Sequence, residues 1–105
     1  MEKKDLLKDT IKHIDIKSYD STQLIDAMRD MSFTSRDTAR AADILLKMVK
    51  EKECTNILTI AGSTSAAGCM QVYVDMVRNK MVDVVVATGA SIIDMDLFEA
   101  LGFKH

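Results

Sequence analysis

Proline and tryptophan are missing from this 105-residue chain, and it holds only five aromatic residues, four glycines and two cysteines. Without proline, nothing in the sequence forces a break in a helix, which suits a helix-rich body. Three phenylalanines and two tyrosines against eight methionines make the expected core aliphatic and adaptable. Cys54 and Cys69 lack the close pairing of a metal knuckle or a redox motif. They read as buried thiols, Cys54 at the start of a strand and Cys69 in the helix after it, with a disulfide or a catalytic thiol as the alternative. An excess of one charge is also lacking. A net charge of −2 and a pI near 5.6 leave no basic footprint for nucleic acid. No apolar stretch nears the roughly 20 residues that span a bilayer, and the first residues are too polar for a signal peptide. The expectation is a cytoplasmic chain with neither nucleic acid nor membrane as partner.

What is present is concentrated in the second half. Ile57-Leu58-Thr59-Ile60 empties into Ala61-Gly62-Ser63-Thr64-Ser65-Ala66-Ala67-Gly68, and Val82-Asp83-Val84-Val85-Val86 empties into Ala87-Thr88-Gly89-Ala90-Ser91. A short β-branched run reads as a strand buried on both faces, as in a parallel sheet. Helical patterning resumes after each loop, with Ala67, Met70, Val74, Val77 and Met81 forming a stripe after the first. The last helix is expected over Ile93–Leu101, stopped by Gly102.

Residues 1–53 hold 22 of the 30 charged side chains and read as helical wrapping, with residues 54–105 as the βαβα start of a ligand-binding domain. Three helices are expected in the first part. One runs from Glu2 to His13, with Leu6, Leu7 and Ile11 as a thin stripe and His13 on the surface. Another runs through Leu24, Ile25 and Met28 after the capping-box pattern Asp20-Ser21-Thr22-Gln23, ending near Met31. The longest starts at an N-cap within Thr34–Asp37 and carries Ala41, Ala42, Leu45, Leu46, Met48 and Val49. The fold class is therefore α/β, in the order ααα-βα-βα. Two strands cannot cover two faces and two edges, so the chain reads as the opening of a larger, incomplete doubly wound sheet or as a subunit that a partner completes.

Ligands of open α/β sheets sit at the carboxyl ends of the strands, where both loops lie. Gly62 permits a tight turn, and Ser63, Thr64 and Ser65 add hydroxyls beside the N–H groups of a helix start, a setting that suits phosphate or another anion. The loop is neither G-x-G-x-x-G nor a P-loop, and a simple N-cap role for Ser63 or Thr64 stands beside the binding role. Thr88, Gly89 and Ala90 repeat the design on the neighbouring strand. Asp94, Asp96 and Glu99 follow on the last helix, where the dipole favours acids whatever their function; the binding alternative aims Asp94 or Asp96 at a ribose hydroxyl or an amine. His105 is the terminal residue. No Ser/His/Asp set, metal cluster or apolar-set lysine stands out, so a binding edge without a reaction centre is expected.

Three stretches resemble the deoxyhypusine synthase family and its bacterial and archaeal deoxyhypusine synthase-like members: the strand and loop Ile57–Gly68; Lys80–Ala90, whose Met-Val-Asp-Val-Val-Val-x-Thr-Gly-Ala is the most specific; and Asp96–His105. Phe33–Asp37 and the Ala41–Met48 helix are looser echoes. The resemblance implies a Rossmann-like fold, a homotetramer, and NAD bound at subunit interfaces, so a homo- or hetero-oligomer is expected of this chain. It also implies dehydrogenation of spermidine and transfer of its aminobutyl group, through an imine on an enzyme lysine, to a lysine of a translation factor. Family members are much longer, and the lysine and much of the polyamine pocket belong to their later part. On this likeness Gly62, Ser63, Thr64, Ser65, Ala66, Thr88, Gly89 and Ala90 are the NAD contacts and Asp94 the acidic residue after them; no catalytic residue falls within the chain. The eukaryotic pattern has asparagine in place of Ser63 and paired glutamates where Ile93 and Asp94 stand, with Met95 inserted. These departures fit the bacterial-type branch and leave other polyamines, such as putrescine, open as substrate. The alternative is a non-catalytic nucleotide-binding or assembly subunit completed by a partner chain.

Overall fold

Two four-residue strands, β1 (Ile57–Ile60) and β2 (Val84–Ala87), pair in parallel and frame the region that carries both loops. Their register sets Ile57 beside Val84 and Ile60 beside Ala87, so both strands end at one level. The computed structural model describes residues 2–6 and 9–104, apart from the side chains of Lys3, Leu6, Asp94 and Met95. Leu7, His105 and the Asp94 side chain, all weighed above, lie outside the described set. Element order is α1 (Lys3–Leu6), a 3₁₀ turn (Ile16–Ser18), α2 (Thr22–Met28), α3 (Phe33–Lys50), β1, a wide helical turn (Ser65–Cys69), α4 (Met70–Arg78), β2, α5 (Gly89–Ser91), a second wide turn (Ile92–Leu97) and α6 (Phe98–Ala100). Mixed helices and a parallel pair make an α/β arrangement. Contacts divide the chain into two units, residues 1–15 with 57–105, and residues 16–56.

In the first unit, the expected Glu2–His13 helix is corrected to the single turn Lys3–Leu6; residues 9–15 are not helical. A polar stretch with a thin apolar stripe gains too little from helix formation. This segment instead bonds to the turn after β1, where the Ile14 N–H donates to the Gly68 carbonyl at 2.9 Å. The helix expected from Ala67 begins at Met70, because Gly68 sits at φ 109° and breaks the preceding turn. A Cβ at Gly68 would lie 3.2 Å from the Lys12 carbonyl oxygen. Gly68→Ala is therefore expected to lower stability by about 1–2 kcal/mol, read from the urea midpoint at unchanged slope. The helix expected over Ile93–Leu101 is instead the wide turn Ile92–Leu97 followed by the short α6, Phe98–Ala100, but its stop lies where expected: Gly102 adopts φ 96° and donates to the Glu99 carbonyl, while the Phe103 N–H donates to the Phe98 carbonyl.

One sheet face, carrying Ile60, Val85 and Ala87, meets α4 and the segment after β2 across a groove of about 320 Å³. The opposite face carries Ile57, Thr59, Val84 and Val86, and there Ile57 is 56% exposed and Val86 55%. Expectation and structure part here. β1 forms as patterned and β2 starts at Val84, two residues after the Val82 start expected for it, but their side chains are not enclosed, and parallel sheets are stable when both faces are covered. Among the described residues the one fully buried hydrophobic side chain is Ala39.

The second unit is a helical hairpin of α2 and α3. Asp20 Oδ1 accepts the Thr22 N–H at 2.9 Å, so the acid ahead of the N-cap residue Ser21 satisfies the first turn. That bond holds its carboxyl below the usual aspartate range. α2 ends at Met28, a turn earlier than expected. α3 starts at Phe33, ahead of the expected cap, with Ser32 at the N-cap position and Phe33 itself at φ 56°. The Arg36 Nε–H bonds the Met31 carbonyl at 2.7 Å and braces this start. Between the helices Arg29 bonds Asp43 (Nε to Oδ2, 3.1 Å) and Asp26. Arg29 lowers the Asp43 pKa by hydrogen bonding, and its own is raised. A depressed carboxylate pKa contributes stability above its unfolded value, 3.8, that is lost as pH falls through the folded one. Acid titration followed by NMR is expected to release the Arg29–Asp43 contact below that value and to leave it intact at neutral pH.

Candidate functional site

The parallel register delivers both small-residue loops to the same rim of the sheet. The Thr88 N–H donates to the Ile60 carbonyl at 3.2 Å, extending the ladder one step past the strands. Beyond it, the Ser91 hydroxyl donates to the Gly62 carbonyl and ties the second loop directly to the first. Ser91 is almost wholly buried, so this tether lies beneath the loops, out of solvent.

In the first loop Gly62 adopts φ 72° and Ser63 and Thr64 are exposed. Thr64 occupies the N-cap position but makes no side-chain capping bond; its Oγ1 instead accepts the Tyr73 hydroxyl at 2.7 Å. The loop's second hydroxyl is thus not used as a cap. Ser65 is fully buried, and its Oγ has no partner among the described residues. An unmet buried hydroxyl costs about 1–3 kcal/mol. Ala66 is half-buried. In the second loop Thr88 and Gly89 are exposed and Ala90 is half-buried.

Open space lies in front of both glycines. A Cβ built at Gly62 or Gly89 meets no heavy atom within 4 Å. The Ser65–Cys69 turn and α5 each begin at a loop, and the first N–H groups of a helical turn have no earlier carbonyl to bond. Room in front of both glycines and the exposed Ser63, Thr64 and Thr88 leave this rim able to accept a polar ligand, while the Ser65 hydroxyl is buried away from solvent.

Sequence reasoning reached both loops and their shared edge, but not Tyr73, whose hydroxyl reaches back nine residues to Thr64. Asp94 lies in the turn Ile92–Leu97. Asp96 is half-buried and lines the groove beneath the helices together with Tyr73, Val77 and Val85, a groove whose lining includes neither Gly62–Ala66 nor Thr88–Ala90. Its Oδ1 has no partner among the described residues. Cys54 and Cys69 are half-buried free thiols, Cys54 ahead of β1 and Cys69 at the turn before α4. Cys54 donates to Asn56 Oδ1 at 3.3 Å. Among the described residues no group of three or more acidic, histidine or cysteine side chains could hold a metal ion, and no helix is long and apolar enough to cross a membrane.

His13 departs most from expectation. Expected on the surface of a charged helix, it lies in a non-helical segment with its side chain only 20% exposed, and its Nε2 pairs with Glu99 Oε1 at 2.7 Å. Nothing in the local sequence marks a partner 86 residues away.

Comparison with known proteins returns one family. A profile described as deoxyhypusine synthase matches residues 23–105. A deoxyhypusine synthase-like protein of Caulobacter vibrioides is 62% identical over 104 residues, 99% of this chain and 28% of its own length. Another, from Chlorobaculum tepidum, is 52% identical over 105 residues, 100% of this chain and 30% of its own. A probable deoxyhypusine synthase 2 of Methanosarcina acetivorans is 35% identical over 92 residues, 88% of this chain and 26% of its own. The chain thus spans less than a third of the length of these relatives. No solved structure matches it.

Proposed function

This chain belongs to the deoxyhypusine synthase family, and we propose that it supplies the dinucleotide-binding edge of a deoxyhypusine synthase-like, NAD-dependent aminobutyl transferase. The observation that carries this reading is the side-by-side seating of the two loops, tied by the Ser91–Gly62 hydrogen bond. In this reading Gly62 and Gly89 admit the cofactor's backbone, the N–H groups of Ser63, Thr64, Ser65 and Ala66 and of Gly89 and Ala90 bind its phosphates, and Asp94 holds a ribose hydroxyl. Thr88 closes the rim by its bond to Ile60. Bound NAD would supply the oxidant for an amine substrate, spermidine or another polyamine.

The bare face of Ile57, Val84 and Val86 supports a second part of the proposal. β1 and β2 open a Rossmann-like, doubly wound sheet, with residues 1–53 as its helical wrapping and the remaining strands supplied by the rest of the family's sequence, in the same chain or in a partner of a homo- or hetero-oligomer. That remainder would also bring the lysine that carries the aminobutyl group to its acceptor, a translation-factor lysine, in the cytoplasm.

Mixing this chain with a polypeptide carrying the remaining sequence of the Caulobacter relative, together with spermidine and NAD, is expected to generate NADH absorbance. A folded complex that produces none under these conditions would contradict the transferase reading. Binding of NAD without turnover would point instead to the non-catalytic module.

A further inference from the structure

We propose that residues 11–14 form a strap that sets the spacing of the two small-residue loops, with His13 as its latch and positioning residue. The proposal rests on the dinucleotide-edge reading for its purpose, but its geometry stands apart from any ligand. The strap touches both loop-bearing segments within four residues. Its Ile14 N–H bonds the Gly68 carbonyl at 2.9 Å, on the turn that leaves the first loop. It passes so close to Gly68 that the Lys12 carbonyl oxygen would stand 3.2 Å from a Cβ there, and Ile11 Cγ2 3.9 Å. Between Lys12 and Ile14, His13 Nε2 meets Glu99 Oε1 at 2.7 Å, on the segment that leaves the second loop.

The latch is enclosed. Its two side chains are 20% and 18% exposed, and His13 Nδ1 is buried without a partner among the described residues. A carboxylate can only accept, so Nε2 carries the hydrogen of this bond. A partly buried, charge-assisted bond is stronger than a solvated one, and an imidazole left half-satisfied in the interior is costly. The pair is not a surface accident of two long side chains. Ser91 and Gly62 join the two loops directly, and the strap joins the segments that follow them, the Ser65–Cys69 turn and α6.

Amide hydrogen exchange on the free chain tests this without a ligand. In His13→Ala or Glu99→Ala, exchange at residues 62–66 and 88–90 is expected to quicken roughly tenfold. The double variant should be no faster than either single one, because both remove the same bond. Glu99→Gln, whose side-chain carbonyl accepts the same N–H, should stay near the parent rate. Acceleration confined to residues 9–15 would overturn the proposal. So would uniform acceleration through α4 and both strands, which would make the pair a general prop of the unit. NAD affinity measured in parallel keeps the two ideas apart. Loops that answer to the latch in a chain that never binds NAD would sink the dinucleotide reading alone, while loops unmoved by loss of the latch in a chain that still binds NAD would sink the strap alone.

Discussion

Replacing Gly89 with leucine is expected to weaken NAD binding by roughly 100-fold, about 2.8 kcal/mol, while leaving the unfolding free energy within about 0.5 kcal/mol of the parent. Gly89 starts α5 without a positive φ, and a Cβ there meets nothing within 4 Å. A larger side chain is therefore accepted by the protein and, on the dinucleotide reading, takes space the cofactor needs. Gly62 is a poorer probe. Its φ of 72° makes any side chain strained, so a loss of binding at that position would be mixed with a loss of fold. Titration calorimetry beside a urea melt separates the two effects at Gly89. Unchanged affinity in the leucine variant would place the ligand elsewhere.

The second large effect is thermal. Ile57, Val84, Val85 and Val86 are each between 42% and 56% exposed in a parallel pair. Covering each returns about 1 kcal/mol, and for a chain of this size 1 kcal/mol moves the melting temperature by about 4–8 °C. Binding the remainder of a family member's sequence is thus expected to raise the melting temperature by roughly 15–30 °C, followed by circular dichroism on the purified complex. A mixture that melts as the sum of its separate parts would contradict the view that this sheet is an opening one. Val86→Asp places a charge on the bare face, where it costs the free chain little, and should abolish the shift.

The strands and the two loops were legible because their signals are local. A β-branched run followed by glycine and hydroxyl residues states both the element and its end, and Gly102 states the last stop in the same way. The register that puts both loops on one rim follows once the strands are parallel. What could not be read depends on distant partners. The Glu2–His13 helix is only a turn long because Ile14 and His13 bind Gly68 and Glu99, contacts that outweigh a weak helical preference in a charged stretch. α4 begins three residues late because Gly68 adopts a positive φ of 109° that interrupts the helix. α3 begins early, at Phe33, because Arg36 reaches back to Met31, a side-chain bond that capping patterns do not encode. The apolar pattern of the strands promised enclosed side chains, but Ile57 and Val86 are more than half exposed, since pattern states what a residue needs and not whether it is supplied.

The dinucleotide edge itself is tested most directly by titrating NAD into isotope-labelled chain and following backbone amide shifts. The amides of residues 62–66 and of residues 88–90 should move together along one saturation curve, with those of Thr22–Met28 and Phe33–Lys50 unchanged. Shifts in one loop only, or in neither while the α2–α3 hairpin responds, would contradict a shared crevice.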